Sequence, residues 1–199
     1  GRGDTLYVIS DPFDGSLLYK RGVPAFWFTS LAIYDAEGNP IAAAVGDCLT
    51  ATIDFCDASK AYTARIADDG SLTDVAPIQP SSVTNLSDAH LETYLMKPKF
   101  MYPTVDEYRT LFEKVRFILP NGGPAGFCDT AKGRVDIYFA YRQPHIEIFS
   151  GVAIAQRAGC IVTLFDGSPL KFDTDINKRY DVLCCATQEL HEQVLELIR

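Results

Sequence analysis

The sequence predicts a layered α+β protein whose sheets are mixed and largely antiparallel. Strand-like runs crowd the first third of the chain, with turn residues between them, and later runs alternate with helical patterns. At 199 residues the chain is long enough to bury a sizeable core. A single unit over 1–199 is expected, with an antiparallel meander over 1–85 and an alternating α/β part over 86–199.

Leu6, Tyr7, Val8 and Ile9 form an apolar run that reads as a buried strand. Residues 26–34 are strand-like, turn through Asp35, Ala36, Glu37, Gly38 and Asn39, and return over 40–45 as a hairpin. Two further strands, 50–55 and 61–65, flank a polar turn at 57–60, giving a meander of about four strands. Residues from 68 onward are weakly patterned, and 77–82 is the least structured stretch. Leu91, Thr93 and Leu95 alternate as in a strand. Thr104 with Glu107 reads as a capping box that opens a helix, whose buried stripe is Tyr108, Leu111, Phe112 and Val115.

Residues 116–119 read as a short strand and 120–123 as a turn, while Pro124 starts and Gly133 stops a helix. Strands follow over 135–141, 161–165 and 181–186. A helix after Glu147 carries Ile148, Val152 and Ala155 on one face. Thr187 caps a last helix, packed through Leu190, Val194, Leu197 and Ile198.

Eighteen basic against 26 acidic residues leave a net charge of −8, which argues against nucleic acid as a partner. No apolar stretch is long enough to span a bilayer, and Gly1 begins no signal-peptide pattern, so no membrane partner is expected. Six scattered cysteines, Cys48, Cys56, Cys128, Cys160, Cys184 and Cys185, match neither a zinc site nor a disulfide framework. They read as reduced packing residues in a cytoplasmic protein, with adjacent Cys184 and Cys185 facing opposite sides of one strand. Of the dispersed histidines, only His145 lies near anything of interest.

The segment Asp11-Pro12-Phe13-Asp14-Gly15-Ser16 closes the first strand. Two carboxylates three residues apart suit a hard cation such as Mg²⁺, which shares oxygen ligands with phosphate. The N–H groups of a Gly-Ser turn, opening a helix, suit an anion. Metal and phosphate sites side by side are what phosphate-ester hydrolysis requires. The competing reading is an ordinary Pro-x-Asp-Gly turn that ends a strand.

This segment resembles the first signature of the inositol monophosphatase and fructose-1,6-bisphosphatase superfamily of metal-dependent phosphatases. A second stretch, Glu147-Ile148-Phe149-Ser150-Gly151 followed by Arg157-Ala158-Gly159-Cys160, is similar to the family's acid at a helix start and its later Ala-Gly-Gly. The match covers nearly the whole chain and implies an α/β/α/β/α sandwich. It implies metal roles for Asp11, Phe13 (through its carbonyl), Asp14 and Glu147. Catalytic roles fall to Asp11, Asp14 and Ser16, and phosphate contacts to Gly15, Ser16, Asn121, Gly122 and Gly123. Two or three Mg²⁺ ions serve the relatives; fewer are consistent with this chain.

The departures also carry information. Asn121-Gly122-Gly123 stands where the inositol enzymes have a Gly-Thr-Ala-like turn, and a plain helix-entry turn is the equal alternative. Ala140 falls where those enzymes place an acid that binds inositol hydroxyls, which points away from inositol. Ser16 and Glu147 lean toward the fructose-bisphosphatase branch. No match stands out for that branch's sugar-phosphate-binding lysine, though Tyr141 and Arg142 lie nearby. Family members also carry an N-terminal helical segment with further acidic ligands and a water-activating Asp, whereas this sequence opens ten residues before Asp11. A fragment of a longer protein is expected.

The resemblance thus implies a Mg²⁺-dependent phosphomonoesterase acting on a small phosphorylated sugar, polyol or inositol, with a homodimer as one form of assembly. The alternative is an inactive remnant or binding module that keeps the fold and a partial metal site.

Overall fold

A computed structural model describes residues 6–199; Gly1, where the sequence opens, lies outside them. The first sheet is an antiparallel meander of β1 (Tyr7–Asp14), β2 (Phe28–Tyr34), β3 (Pro40–Asp47), β4 (Thr52–Cys56), β5 (Ala61–Ile66) and β6 (Leu72–Pro77), in that spatial order. Aspartates close its hairpins. Asp35 Oδ1 accepts from the N–H of Glu37 at 3.0 Å and Asn39 at 2.7 Å, and Asp57 Oδ1 from Ser59 at 2.7 Å and Lys60 at 2.8 Å. Strand β6 falls in the stretch read as weakly patterned. It is an edge strand exposed along its whole length, so it has no buried face to impose alternation.

The second sheet runs β10-β11-β9-β7-β8, from β7 (His90–Thr93), β8 (Phe117–Pro120), β9 (Ile137–Pro144), β10 (Ile161–Leu164) and β11 (Arg179–Cys185). Strand β7 pairs parallel with both β8 and β9, and the other pairs are antiparallel. The sheet is covered on both faces, so the middle of β9 and the end of β11, residues 137–141 and 182–185, are apolar at every step rather than alternating. Tyr138, Ala140, Val182 and Cys184 face one core; Ile137, Phe139, Leu183 and Cys185 face another. The adjacent cysteines divide as their spacing predicts. Five of the six cysteines are buried and all are free thiols, while Cys48 is exposed rather than packed.

Between the sheets lie α4 (Pro124–Ala131) and α5 (Phe149–Ala158); α1 (Ser16–Tyr19), α2 (Pro98–Glu107) and α3 (Arg109–Phe112) precede them, and α6 (Gln188–Ile198) follows. Two glycines let the inner helices close up. A Cβ on Gly126 would meet the Tyr138 ring at 2.5 Å, and one on Gly151 would meet the Pro124 carbonyl oxygen at 2.7 Å. The Tyr34 hydroxyl donates to the Phe149 carbonyl at 2.7 Å, tying the first sheet to α5. On the far side of the second sheet, Leu111, Leu190 and Val194 pack over Ile137, Phe139 and Leu183. Sheet, helices, sheet and helices make a layered α+β fold. Among the described residues no helix covers the outer face of the first sheet, where Val8, Leu31 and Val75 are exposed.

The capping box at Thr104 does not form. Helix α2 starts six residues earlier, with Pro98 at its first turn, and Thr104 lies inside it, its Oγ1 donating to the Phe100 carbonyl at 2.6 Å. Pro103 within the helix disguised it, because an interior proline lacks the N–H that a helix needs. Leu95 lies beyond β7, which ends at Thr93.

Candidate active site

The ladder between β1 and β2 breaks at the Asp-Pro-Phe-Asp segment. Asp11 opposes Ser30 and Asp14 opposes Phe28, so three steps on β1 face two on β2. Such a bulge bends the strand end and re-aims its side chains. The Asp11 carboxylate accepts the Phe13 N–H at 3.2 Å, and Asp14 accepts the Gly15 N–H at 2.7 Å. Gly15 holds φ +87°, and a Cβ there would fall 1.9 Å from the Phe26 carbonyl oxygen, so only glycine fits. Its own carbonyl accepts from Leu18 and Tyr19, which opens α1 at Ser16. The Gly15 N–H is therefore committed to Asp14 rather than free for a phosphate.

The Asn121-Gly122-Gly123 turn arrives from the second sheet. Asn121 N–H donates to the Thr93 carbonyl at 3.1 Å, and a Gly122 side chain would begin 2.9 Å from Tyr94 Cβ. Gly123 holds φ +68°, and a Cβ on it would stand 2.6 Å from Asp14 Oδ2. The turn thus packs directly on the first motif. Glu147 ends a tight turn between β9 and α5, built from His145, Ile148 and the buried ring of Phe149.

These pieces surround one cleft of about 350 Å³, lined by Asp14, Gly15, Ser16, Asn121, Gly122, Gly123 and Glu147. Asp11 and Phe13 do not line it. Nor does Ala140, which is buried in the core, nor Tyr141 and Arg142. The Tyr141 hydroxyl donates to Glu107, and the Arg142 N–H to Asp181. The cations at the cleft are instead Lys97, Lys99 and Arg179. They come from the entry to α2 and the start of β11, and no spacing in the sequence joins them to either motif.

Burial perturbs both cleft carboxylates, and Asp14 and Asp11 act on Glu147. Burial raises the Asp14 carboxyl to about 6, opposed by the Gly15 N–H, with the Asp11 charge raising it further and Lys97 lowering it. Burial likewise raises Glu147 to about 7; Asp14 and Asp11 add to the rise, and Lys97 and Arg179 oppose it. Asp11 therefore acts on the cleft through its field without entering it. An all-oxygen donor set whose members repel one another suits a hard divalent cation, which would relieve both the repulsion and the desolvation. Asp14 and Glu147 fit that role. Among the described residues, no three His, Cys, Asp or Glu side chains converge into a cation cage.

The model of the inositol monophosphatase family matches residues 2–199. The chain belongs to that family. A Methanocaldococcus jannaschii protein named fructose-1,6-bisphosphatase/inositol-1-monophosphatase is 25% identical over 193 residues, covering 96% of this chain and 69% of the relative. The Arabidopsis thaliana chloroplastic phosphatase IMPL1 is 29% identical over 204 residues, 98% of this chain but 50% of its own length. In three dimensions, a hypothetical Pyrococcus horikoshii protein described as having similarities for inositol-1 monophosphatase superposes with a TM-score of 0.78. That match has 21% identity and covers 98% of this chain and 71% of the other. It speaks for the fold, and the fold is the family's.

Proposed function

We propose that this chain carries the site of a Mg²⁺-dependent phosphomonoesterase acting on a small phosphorylated sugar, polyol or inositol. One observation carries the reading: Asp14 and Glu147, far apart in sequence, enter one cleft beside a glycine turn packed on Asp14. The relatives, named as phosphatases, support it.

Asp14 and Glu147 would hold the cation, and Asp11 would strengthen their field from behind. When bound, Mg²⁺ supplies charge neutralisation and acidifies the attacking water. The N–H of Gly122, with Ser16 at the start of α1, holds phosphoryl oxygens as charge redistributes. Lys97, Lys99 and Arg179 draw an anionic substrate into an otherwise acidic molecule and suit a second anionic group on the alcohol half. Ser16 orients rather than attacks, since among the described residues no histidine lines the cleft to serve as its base. A cytoplasmic location and a homodimer complete the proposal.

One observation favours a second reading, a non-catalytic family member that binds a phosphorylated ligand: the described residues alone do not assemble a three-ligand cation cage. Phosphate release by the full-length protein from sugar, inositol and nucleotide monophosphates, with and without Mg²⁺, separates the two. Mg²⁺-dependent release supports the enzyme. Binding without release supports the module.

A further inference from the structure

Glu92 is an acid that the cleft chemistry leaves unused. It sits in β7 with its side chain fully buried, and neither carboxylate oxygen completes a hydrogen bond of good geometry. Burial raises its carboxyl well above the usual range; Asp129 adds to the rise, while the Asn121 amide and Lys132 oppose it. The groups facing it are Asn121 from the turn, Asp129 and Lys132 from the end of α4, and Tyr138, its register partner on β9. Asn121 Oδ1 and the Tyr138 hydroxyl are also buried without partners. Tyr138 in turn feels Glu92, Glu147 and Asp14, and meets the Gly123 backbone. Unpaired polar groups in a core weaken a fold, and departures of this kind gather at functional sites.

The placement shows what Glu92 could be for. Three successive residues, Glu92 and Thr93 of β7 and Tyr94 just beyond it, grip the glycine turn. The Thr93 carbonyl takes the Asn121 N–H at 3.1 Å, Tyr94 crowds Gly122, and Glu92 faces the Asn121 side chain. The far end of the turn, Gly123, rests on Asp14. Any shift of Asn121 is passed to the backbone that meets the phosphate.

We propose that Glu92 is a positioning residue: its buried carboxyl fixes Asn121, and through Asn121 the Gly122–Gly123 turn that lines the phosphate side of the cleft. This rests on the phosphatase reading above.

The test compares full-length wild type, Glu92→Leu and Glu92→Gln in three measurements: melting temperature, kcat/KM with Mg²⁺, and calorimetric affinity for inorganic phosphate with Mg²⁺. Leucine removes an unpaired buried carboxyl while keeping apolar volume, so the variant melts at or above the wild-type temperature. Its kcat/KM nevertheless falls on the order of 100-fold, as misplaced groups at a reacting centre cause, and its phosphate affinity falls about tenfold. Glutamine keeps the shape and neutral hydrogen-bonding capacity and stays close to wild type on all three.

Wild-type kcat/KM and phosphate affinity in Glu92→Leu overturn the proposal. So does a parallel loss of melting temperature and activity in both variants, the behaviour of a group that only supports the fold. If the wild type hydrolyses no phosphomonoester, the phosphatase reading fails by itself, and phosphate affinity across the three proteins still decides the role of Glu92. If the wild type binds no phosphate either, the role assigned to Glu92 falls with it.

Discussion

Replacing Gly123 by alanine tests whether the glycine turn and Asp14 form one site. Gly123 holds φ +68° and ψ −156°, a region essentially reserved for glycine, where an L side chain adds about 1–3 kcal/mol. The new Cβ would stand 2.6 Å from Asp14 Oδ2, against the roughly 3.5 Å of comfortable heavy-atom contact. Close to 1 Å of separation, roughly the difference between those distances, must come from Asp14 or from the turn. Asp14 is itself held by the Gly15 N–H at 2.7 Å, so moving it strains that bond as well. A displacement of about 1 Å at a reacting centre lowers turnover on the order of 100-fold. Backbone strain alone lowers the melting temperature by roughly 2–12 °C in a protein of this size. The assay is kcat/KM for phosphate release, read well below the variant's own melting temperature. A variant that melts earlier yet turns over like wild type would refute the contact between turn and acid as part of the site.

Other outcomes follow from the same geometry. Asp14 and Glu147 are raised to about 6 and about 7, chiefly by burial, with the Asp11 charge adding to both and Asp14 adding to Glu147. In metal-free protein their contribution to stability is therefore fully present below about pH 4, where both states are protonated, and is lost as pH rises to about 7. The loss is about 3 kcal/mol per group. In urea titrations with a chelator, Asp14→Asn/Glu147→Gln should match wild type near pH 4 and exceed it at pH 8; parallel curves would contradict the shifts. Lys132 Nζ lies 2.5 Å from Asp54 Oδ2, with both side chains largely buried. Asp54→Ala leaves the ammonium with Asp129 alone, at 3.6 Å, and should cost about 1–3 kcal/mol by urea unfolding, and a cost near zero would show the pair to be solvated. Tyr34→Phe removes the hydroxyl bonded to the Phe149 carbonyl and should cost about 1–3 kcal/mol. An unchanged melting curve would mean that bond contributes nothing.

What the sequence disclosed follows from how each feature is written in it. The first motif was legible because carboxylates, glycine and a strand end occupy consecutive positions, and Glu147 through its resemblance to the family's acid at a helix start. The meander was legible because its aspartate turns sit between apolar runs. Strand β6 was not, since an edge strand exposed throughout lacks a burial period. Helix α2 hid behind Pro103, and Thr104 imitated a cap while bonding back to Phe100 inside the helix. Lys97, Lys99 and Arg179 gather from separate elements, so their convergence exists only in three dimensions. Tyr141 and Arg142, near the site in sequence, have other partners: the Tyr141 hydroxyl donates to Glu107 and the Arg142 backbone N–H to Asp181. Asp11 was read as a metal ligand; its Oδ1 accepts the Phe13 N–H, and the residue lies behind the cleft lining.

The central claim is that Asp14 and Glu147 together make a cation-dependent phosphatase site. The most direct measurement is phosphate release by full-length wild type and by Asp14→Asn and Glu147→Gln, across a Mg²⁺ titration. The expected result is release that requires Mg²⁺ in wild type, and in each variant a loss on the order of 100-fold or more with weakened dependence on the ion. Release that ignores Mg²⁺, or variants that follow the wild-type titration, would contradict it.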